Sequence, residues 1–288
     1  MEQQRATMIG FGAVLLWSLL ALLTVWSAPV PPLLLNAICF AIGGTIGILW
    51  CRATNSLAEL RRVSWRVYVF GTLGLFGYHA LYFSALRLAP AAEAGLIAYL
   101  WPLLIVLFSG LLPGESLRPG HLAGALLSFA GAALILTGAG DLGFRAQYLP
   151  GYGLALLCAL TWSGYSVLSR LVGHAPTSSV AVFCLLSALL SLLLHLVFEP
   201  TRWPDGATGW LATLGLGLGP VGLAFYLWDV GVKRGDIQLL GTSSYAAPLL
   251  STLILVLAGV ASASWTLAVA ALLITAGAVV AARARRRD

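Results

Sequence analysis

Ten apolar stretches of about 20 residues run through this chain in two sets of five, and the second set echoes the first about 146 residues later. A helix of that length crosses the ~30 Å hydrocarbon core of a bilayer. Five is odd, so the second set enters the membrane from the opposite side to the first. The result is an inverted repeat, the design that places a solute site near the midplane of secondary carriers. The expected fold is an all-α integral membrane protein of ten transmembrane helices, two inverted five-helix repeats (1–144 and 145–288) forming one integrated bundle. Polar breaks and turn residues place the spans near 7–26, 31–50, 66–87, 92–111, 119–138, 151–171, 177–197, 208–230, 237–258 and 264–282.

Composition leaves little room for anything else: 60% of the 288 residues are hydrophobic and 9% are charged, against about 25% charged in a soluble chain. The apolar stretch after Arg5, residues 7–26, is too long for the 7 to 15 apolar residues of a cleaved signal and reads as the first span. The net charge of +6 does not point to nucleic acid, because the basic residues follow the loops. With the N-terminus in the cytoplasm, only Arg87, Arg145 and Arg202 fall on the far side. Arg5, Arg52, Arg61, Arg62, Arg66, Arg118, Arg170, Lys233, Arg234, Arg283, Arg285, Arg286 and Arg287 fall on the near side. The positive-inside rule therefore places both termini in the cytoplasm. The basic tail reads as a stop-transfer anchor, with anionic lipid as a second reading. Cys39, Cys51, Cys158 and Cys184 show neither CxxC nor His spacing, so they read as small packing residues, and no metal site or cofactor is expected.

The internal repeat is clearest where Tyr99-Leu-Trp-Pro102-Leu-Leu matches Tyr245-Ala-Ala-Pro248-Leu-Leu, and where Trp17-Ser18 matches Trp162-Ser163. Pro102 and Pro248 each remove a backbone donor inside a span and favour a helix break. Such a break lines a cavity or simply serves packing; both readings stand. Gly43 with Gly47, Gly120 with Gly124, and the run Gly215, Gly217, Gly219 let helix backbones approach in lipid, where hydrophobicity cannot drive association.

Ten spans as five plus five, Leu16-Trp-Ser18, Glu93-Ala-Gly, Tyr99-Leu-Trp-Pro102, Trp162 with Tyr165, Trp228-Asp-Val-Gly231 and Ser244-Tyr245 with Pro248 together resemble the EamA branch of the drug/metabolite transporter superfamily. The Tyr-Leu-Trp-Pro and Trp-Asp-Val-Gly strings narrow the likeness to its aromatic amino acid exporters. The resemblance covers nearly the whole chain. It implies a basket of ten helices with a central cavity lined by spans one, three, four, six, eight and nine, working by alternating access.

On those spans lie the candidate cavity residues Trp17, Tyr78, His79, Tyr82, Tyr99, Trp101, Trp162, Tyr165, Trp228 and Tyr245, together with Tyr226. Such rings stack an aromatic solute or hold an ammonium; packing and the interfacial belt are the competing uses. The belt accounts better for Trp26, Trp50, Trp65, Trp203, Trp210 and Trp265. Ionisable groups within spans are costly and point to function, which singles out His79, Glu93, Asp229 and, less so, His195. Each also has a structural account. Asp229 precedes Lys233 by one helical turn, Glu93 follows Pro90 at a helix start that favours a carboxylate, and His79 packs as a hydrogen-bonded core residue.

The function these residues imply is export of amino acids, aromatic ones preferred, across a bacterial inner membrane, as a facilitator or weakly coupled carrier. The alternative is a broad drug or metabolite efflux carrier with proton coupling through His79, Glu93 or Asp229. A phosphate-type anion is poorly served, since no span interior carries a Lys or Arg pair. An intramembrane enzyme is not expected, because Ser18, Ser84, Ser163 and Ser244 lack a nucleophile elbow or paired His. The expected partners are small solutes and the lipid bilayer, with no nucleic acid, and a monomer is compatible with the sequence.

Overall fold

The computed structural model describes residues 1–138, 143–172 and 175–285. Among the described residues, ten helices of 19 to 29 residues are long and apolar enough to cross a membrane, or about 28 to 43 Å at 1.5 Å per residue. They are α1 (Glu2–Trp26), α2 (Pro32–Ala53), α3 (Trp65–Leu88), α4 (Ala91–Ser109), α5 (Pro119–Thr137), α6 (Ala146–Leu168), α7 (Ser179–Phe198), α8 (Gly206–Arg234), α9 (Ile237–Leu257) and α10 (Trp265–Ala284). The described residues contain no strand, and the protein is a multi-pass, all-α membrane bundle. Arg286 and Arg287 of the basic tail lie outside the described residues.

The start of each helix is written locally. Proline occupies the first turn of α2 and α5, where its missing N–H costs nothing. The Ser64 hydroxyl accepts from the Arg66 amide at the start of α3, and Asp236 accepts from Leu239 at the start of α9 (2.9 Å), both as N-caps. Gly138 ends α5 with φ 60°, a left-handed cap natural to glycine.

Four spans are interrupted. Helix α1 breaks between Trp17 and Leu20, α4 between Ala98 and Trp101, and α9 between Ser243 and Ala246. In α8 the regular helix gives way at Gly219–Leu223 to one wider turn, which contains Pro220. The breaks of α4 and α9 fall in the turn before Pro102 and Pro248, because a proline lacks the N–H that would bond the carbonyl four residues back and its ring crowds that carbonyl. The interruptions of α1 and α8 were not legible as breaks. Helix α1 also begins five residues before the expected start and α8 ends four residues later, since both run past the hydrocarbon into polar sequence. The connection between α2 and α3 carries a short helix, Leu57–Arg62.

Helix α5 packs along α10, α2 along α7, α3 along α6 and α1 along α8. Glycine makes the tightest of these contacts possible. A Cβ on Gly124 would sit 2.5 Å from the Gly277 carbonyl oxygen, and one on Gly10 would sit 2.8 Å from the Cα of Gly231. Gly43 likewise lies against Gly222. The four cysteines are buried between helices. Leucines such as Leu157, Leu189, Leu193 and Leu211 cover the outer surface.

Candidate solute site

Ring packing defines the centre of the bundle. Trp17 (α1), Trp101 (α4), Trp162 (α6) and Trp228 (α8) touch in all six pairings, with centroids 5.1 to 6.3 Å apart. Tyr165 joins at Trp162 (5.3 Å) and Tyr78 also at Trp162 (5.4 Å), while His79 and Tyr82 join at Tyr78 (5.2 and 6.2 Å). Tyr99 continues the chain from Trp101, and Tyr245 continues it from Tyr99, each step 6.0 Å. Ten of the eleven rings expected from sequence are thus one connected network. Phenylalanines extend it: Phe40 and Phe225 are stacked at 5.5 Å, with Phe40 5.2 Å from His79 and Phe225 5.8 Å from Trp162, and Phe70 joins at Tyr165 (5.4 Å), Phe83 at His79 (6.2 Å) and Phe129 at Tyr245 (5.9 Å). Phe225 stands three residues before Trp228, a same-face spacing that was available as a signal; Phe40 offered none.

Within the network, Trp228 and Tyr245 are fully buried, whereas Trp17, Tyr78, His79, Tyr82 and Tyr99 are partly exposed. Polar atoms in both groups have partners. The Trp17 indole donates to the Pro220 carbonyl (3.1 Å), which the wide turn of α8 presents. The Trp228 indole donates to the Ser166 hydroxyl (3.0 Å), and the Tyr245 hydroxyl accepts from the Leu103 amide (3.1 Å). His79 Nδ1 lies 2.7 Å from the Leu75 carbonyl, so the neutral ring carries its proton there and keeps Nε2 as an acceptor. Tyr226 is not in the network; its hydroxyl donates to Gly43 and ties α8 to α2.

The charged candidates lie outside the rings. Asp229 pairs with Lys233 (2.9 Å), one turn away, and accepts from Thr177 (2.7 Å). Glu93, in the first turn of α4 and buried, accepts from the Tyr152 hydroxyl of α6. His195 lies 3.0 Å from Glu199 and 2.9 Å from Thr201. Glu199 also accepts from the Leu33 and Leu34 amides at the start of α2 and pairs with Arg87 of α3 (3.2 Å). Sequence reasoning noticed His195 but missed Glu199, four residues on, whose anion completes a three-helix clasp at the head of α2. Among the described residues no three His, Cys, Asp or Glu side chains group as metal ligands. The six belt tryptophans are all exposed, from 43% at Trp26 to 83% at Trp265.

A second clasp closes the end of the bundle that holds the start of α1 and the end of α10. Arg170, just past α6, donates from Nε to the Val232 carbonyl (2.7 Å) and from its two terminal nitrogens to Glu115 and to the Gly235 carbonyl. Thr7 of α1 accepts from the Asp236 amide (2.8 Å), Gln238 donates to the Ser116 carbonyl (3.2 Å), and Arg118 donates to the Ala284 carbonyl (2.8 Å). Trp162 and Trp228 lie six residues inside this end, about 9 Å along their helices. Charged clasp and tryptophan cluster together shut this face.

Residues 4–137 and, separately, 149–283 match the EamA-like transporter family. Over 288 residues the chain is 57% identical to the aromatic amino acid exporter YddG of Ancylobacter novellus, covering 100% of both sequences. It is 28% identical over 264 residues to the aromatic amino acid exporter YddG of Salmonella typhimurium, covering 88% of each. A crystal structure at 56% identity superposes with a TM-score of 0.94, covering 99% of this chain and 100% of that one.

Proposed function

The chain belongs to the EamA-like transporter family, and from that premise we propose that it exports amino acids, aromatic ones preferred, across a bacterial inner membrane. The protein is a transporter and not an enzyme. The observation that carries the substrate class is the connected network of rings at the bundle centre; Asp229, the charge that bears on Tyr165, is already paired with Lys233 and Thr177. Its partly exposed members Trp17, Tyr78, His79, Tyr82 and Tyr99 form the solute-facing surface. There an aromatic side chain stacks and an ammonium meets ring faces, each contact contributing about 0.5 to 2 kcal/mol. Fully buried Trp228 and Tyr245 back that surface.

The same reading makes the bundle two inverted five-helix units that rock about a midplane site, with both termini cytoplasmic. The pairing pattern supports it. Exchanging the two sets of five maps α3 with α6 onto α8 with α1, and maps the α5–α10 and α2–α7 pairs onto themselves. The two separate family matches, one per half, support it as well. In this orientation the face shut by Arg170 is the cytoplasmic one. Asp229 and Glu93 are occupied by Lys233, Thr177 and Tyr152, so the proton-coupled efflux alternative rests on His79 alone, and facilitated export is the stronger reading.

The test is uptake of radiolabelled tryptophan, phenylalanine and alanine, and of a quaternary-ammonium dye, into liposomes holding the purified protein, with and without a pH gradient. Tryptophan and phenylalanine flux above empty liposomes, indifferent to the gradient, is expected. Gradient-driven dye flux with no amino acid flux refutes the assignment.

A further inference from the structure

Tyr99 and Tyr245 occupy matching places in the two halves, 146 residues apart, each in the break of a span. Their surroundings differ. Tyr245 is fully buried, and its hydroxyl accepts from the amide of Leu103. That amide is a free donor because it lies in the first turn of the second segment of α4, Trp101–Ser109, where no carbonyl precedes it at helical spacing. Tyr99 is partly exposed, and among the described residues its hydroxyl has no hydrogen-bond partner. The counterpart of Leu103 is Leu249, again 146 residues on, in the first turn of Ala246–Leu257; it has no side-chain partner among the described residues. The two rings are only 6.0 Å apart.

A second matched pair shows the same imbalance. The Trp17 indole donates to the Pro220 carbonyl, whereas its counterpart Trp162 has no indole hydrogen bond among the described residues. Trp162 packs against α3, an uninterrupted helix that presents no such carbonyl, so the halves differ in backbone as well as in side-chain partners. Two halves held in different conformations account for both differences.

We propose that Tyr245 and Tyr99 are reciprocal positioning residues of the transport cycle. The Tyr245–Leu103 bond holds the state shut at the Arg170 face, and a Tyr99–Leu249 bond holds the opposite state. When the halves exchange conformations, each tyrosine takes the other's role. Only one of the two hydroxyls is then available to the solute in either state: Tyr99 in this one, Tyr245 in the other. This rests on the alternating-access reading above.

A thiol at Val232 tests it. Val232 is fully buried beside the Arg170 clasp; with the four native cysteines replaced by alanine in the parent, Val232→Cys is the single thiol, and opening of this face uncovers it. Its labelling by a membrane-impermeant maleimide is followed in proteoliposomes, with and without tryptophan. Tyr245→Phe, which keeps the ring, is expected to speed labelling about 2- to 10-fold, the weight of one hydrogen bond. Tyr99→Phe is expected to slow it by a similar factor, and the double variant to return toward the parent. A purely structural role for the hydroxyls gives no such opposition and no such cancellation. A parent labelling rate that tryptophan leaves unchanged refutes alternating access at this face. A responsive parent in which the two variants shift the same way, or in which Tyr99→Phe is silent, refutes the exchange alone.

Discussion

Removing the Arg170 guanidinium should tip the carrier open at the face it now shuts. Arg170 joins the end of α6 to the end of α8 through the Val232 and Gly235 carbonyls, and to the connection before α5 through Glu115. A hydrogen bond to a charged group contributes about 1.5 to 3 kcal/mol net. Three such bonds would give an upper figure of about 4.5 to 9 kcal/mol, but two corrections lower it. The side chain retains 17% exposure, and water replaces part of what is lost once the face opens. About 2 to 4 kcal/mol of preference for the shut state remains.

At about 1.4 kcal/mol per tenfold, Arg170→Ala moves the two-state balance by roughly 30- to 700-fold toward the open form. The Val232→Cys reporter should label faster by that factor, up to the rate of a freely exposed thiol. Arg170→Lys keeps the charge near Glu115 but lacks the planar fork that reaches two carbonyls at once, so it should fall between parent and Ala. Glu115→Gln removes the anion but keeps an acceptor for the guanidinium, and should give the smallest effect. If Arg170→Ala labels no faster than its parent while remaining folded, the clasp does not hold the face and the argument fails.

Other groups make separable predictions. Tyr78→Ala should raise the KM for tryptophan about 2- to 10-fold, the weight of one aromatic contact, with a smaller change for alanine; equal changes for both solutes would remove Tyr78 from the side-chain subsite. Glu199→Ala strips the α2 amides of their acceptor and leaves His195 and Arg87 without their anion. A loss of about 3 to 5 kcal/mol is expected in detergent unfolding, whereas Glu199→Gln, which still accepts from the amides, should lose less than half of that. Gly124→Leu drives a side chain into the α10 backbone at Gly277, so the monodisperse fraction on gel filtration should collapse, while Gly153→Leu, at an exposed position with open space around its Cα, should leave it unchanged.

The sequence made the spans legible because hydrocarbon thickness leaves the chain so few options: every apolar run of about 20 residues had to become a helix. It also made the ten rings legible as candidates, since each sits inside a span, and Trp17 with Trp162 and Tyr99 with Tyr245 repeat between the halves. What it could not convey was partnership across distance. Phe40 looks like any apolar residue of α2, and only the fold brings it against His79. Glu115 and Arg170 lie 55 residues apart in connecting segments, where charge reads as topology before it reads as a clasp. Nothing in the repeat marks Pro220, since α3 holds no proline, and a proline by itself predicts a lost hydrogen bond and no more. The structure instead makes a wide turn that turns a carbonyl toward Trp17.

The distribution of charge explains how such a site can be selective without an ionised side chain. Burying a lone charge at the centre of the bundle is costly unless it is paired, and every buried ionisable group near the ends has been given a partner: Asp229 with Lys233, Glu93 with Tyr152, Glu199 with His195 and Arg87. The centre is left to rings, to His79 Nε2 and to backbone groups freed by the interrupted spans. A zwitterion can satisfy both its ends there, the ammonium against ring faces and the carboxylate against free amides, whereas a solute with net charge leaves one sign uncompensated. Discrimination against strongly charged solutes then follows from the absence of a counter-ion, while preference among zwitterions follows from how much ring area the side chain covers. Placing a carboxylate in the network, as in Tyr78→Glu, should therefore relax the first rule and admit cationic aromatic amines; unchanged exclusion of those amines, in a variant that still moves tryptophan, would show that shape and not charge excludes them.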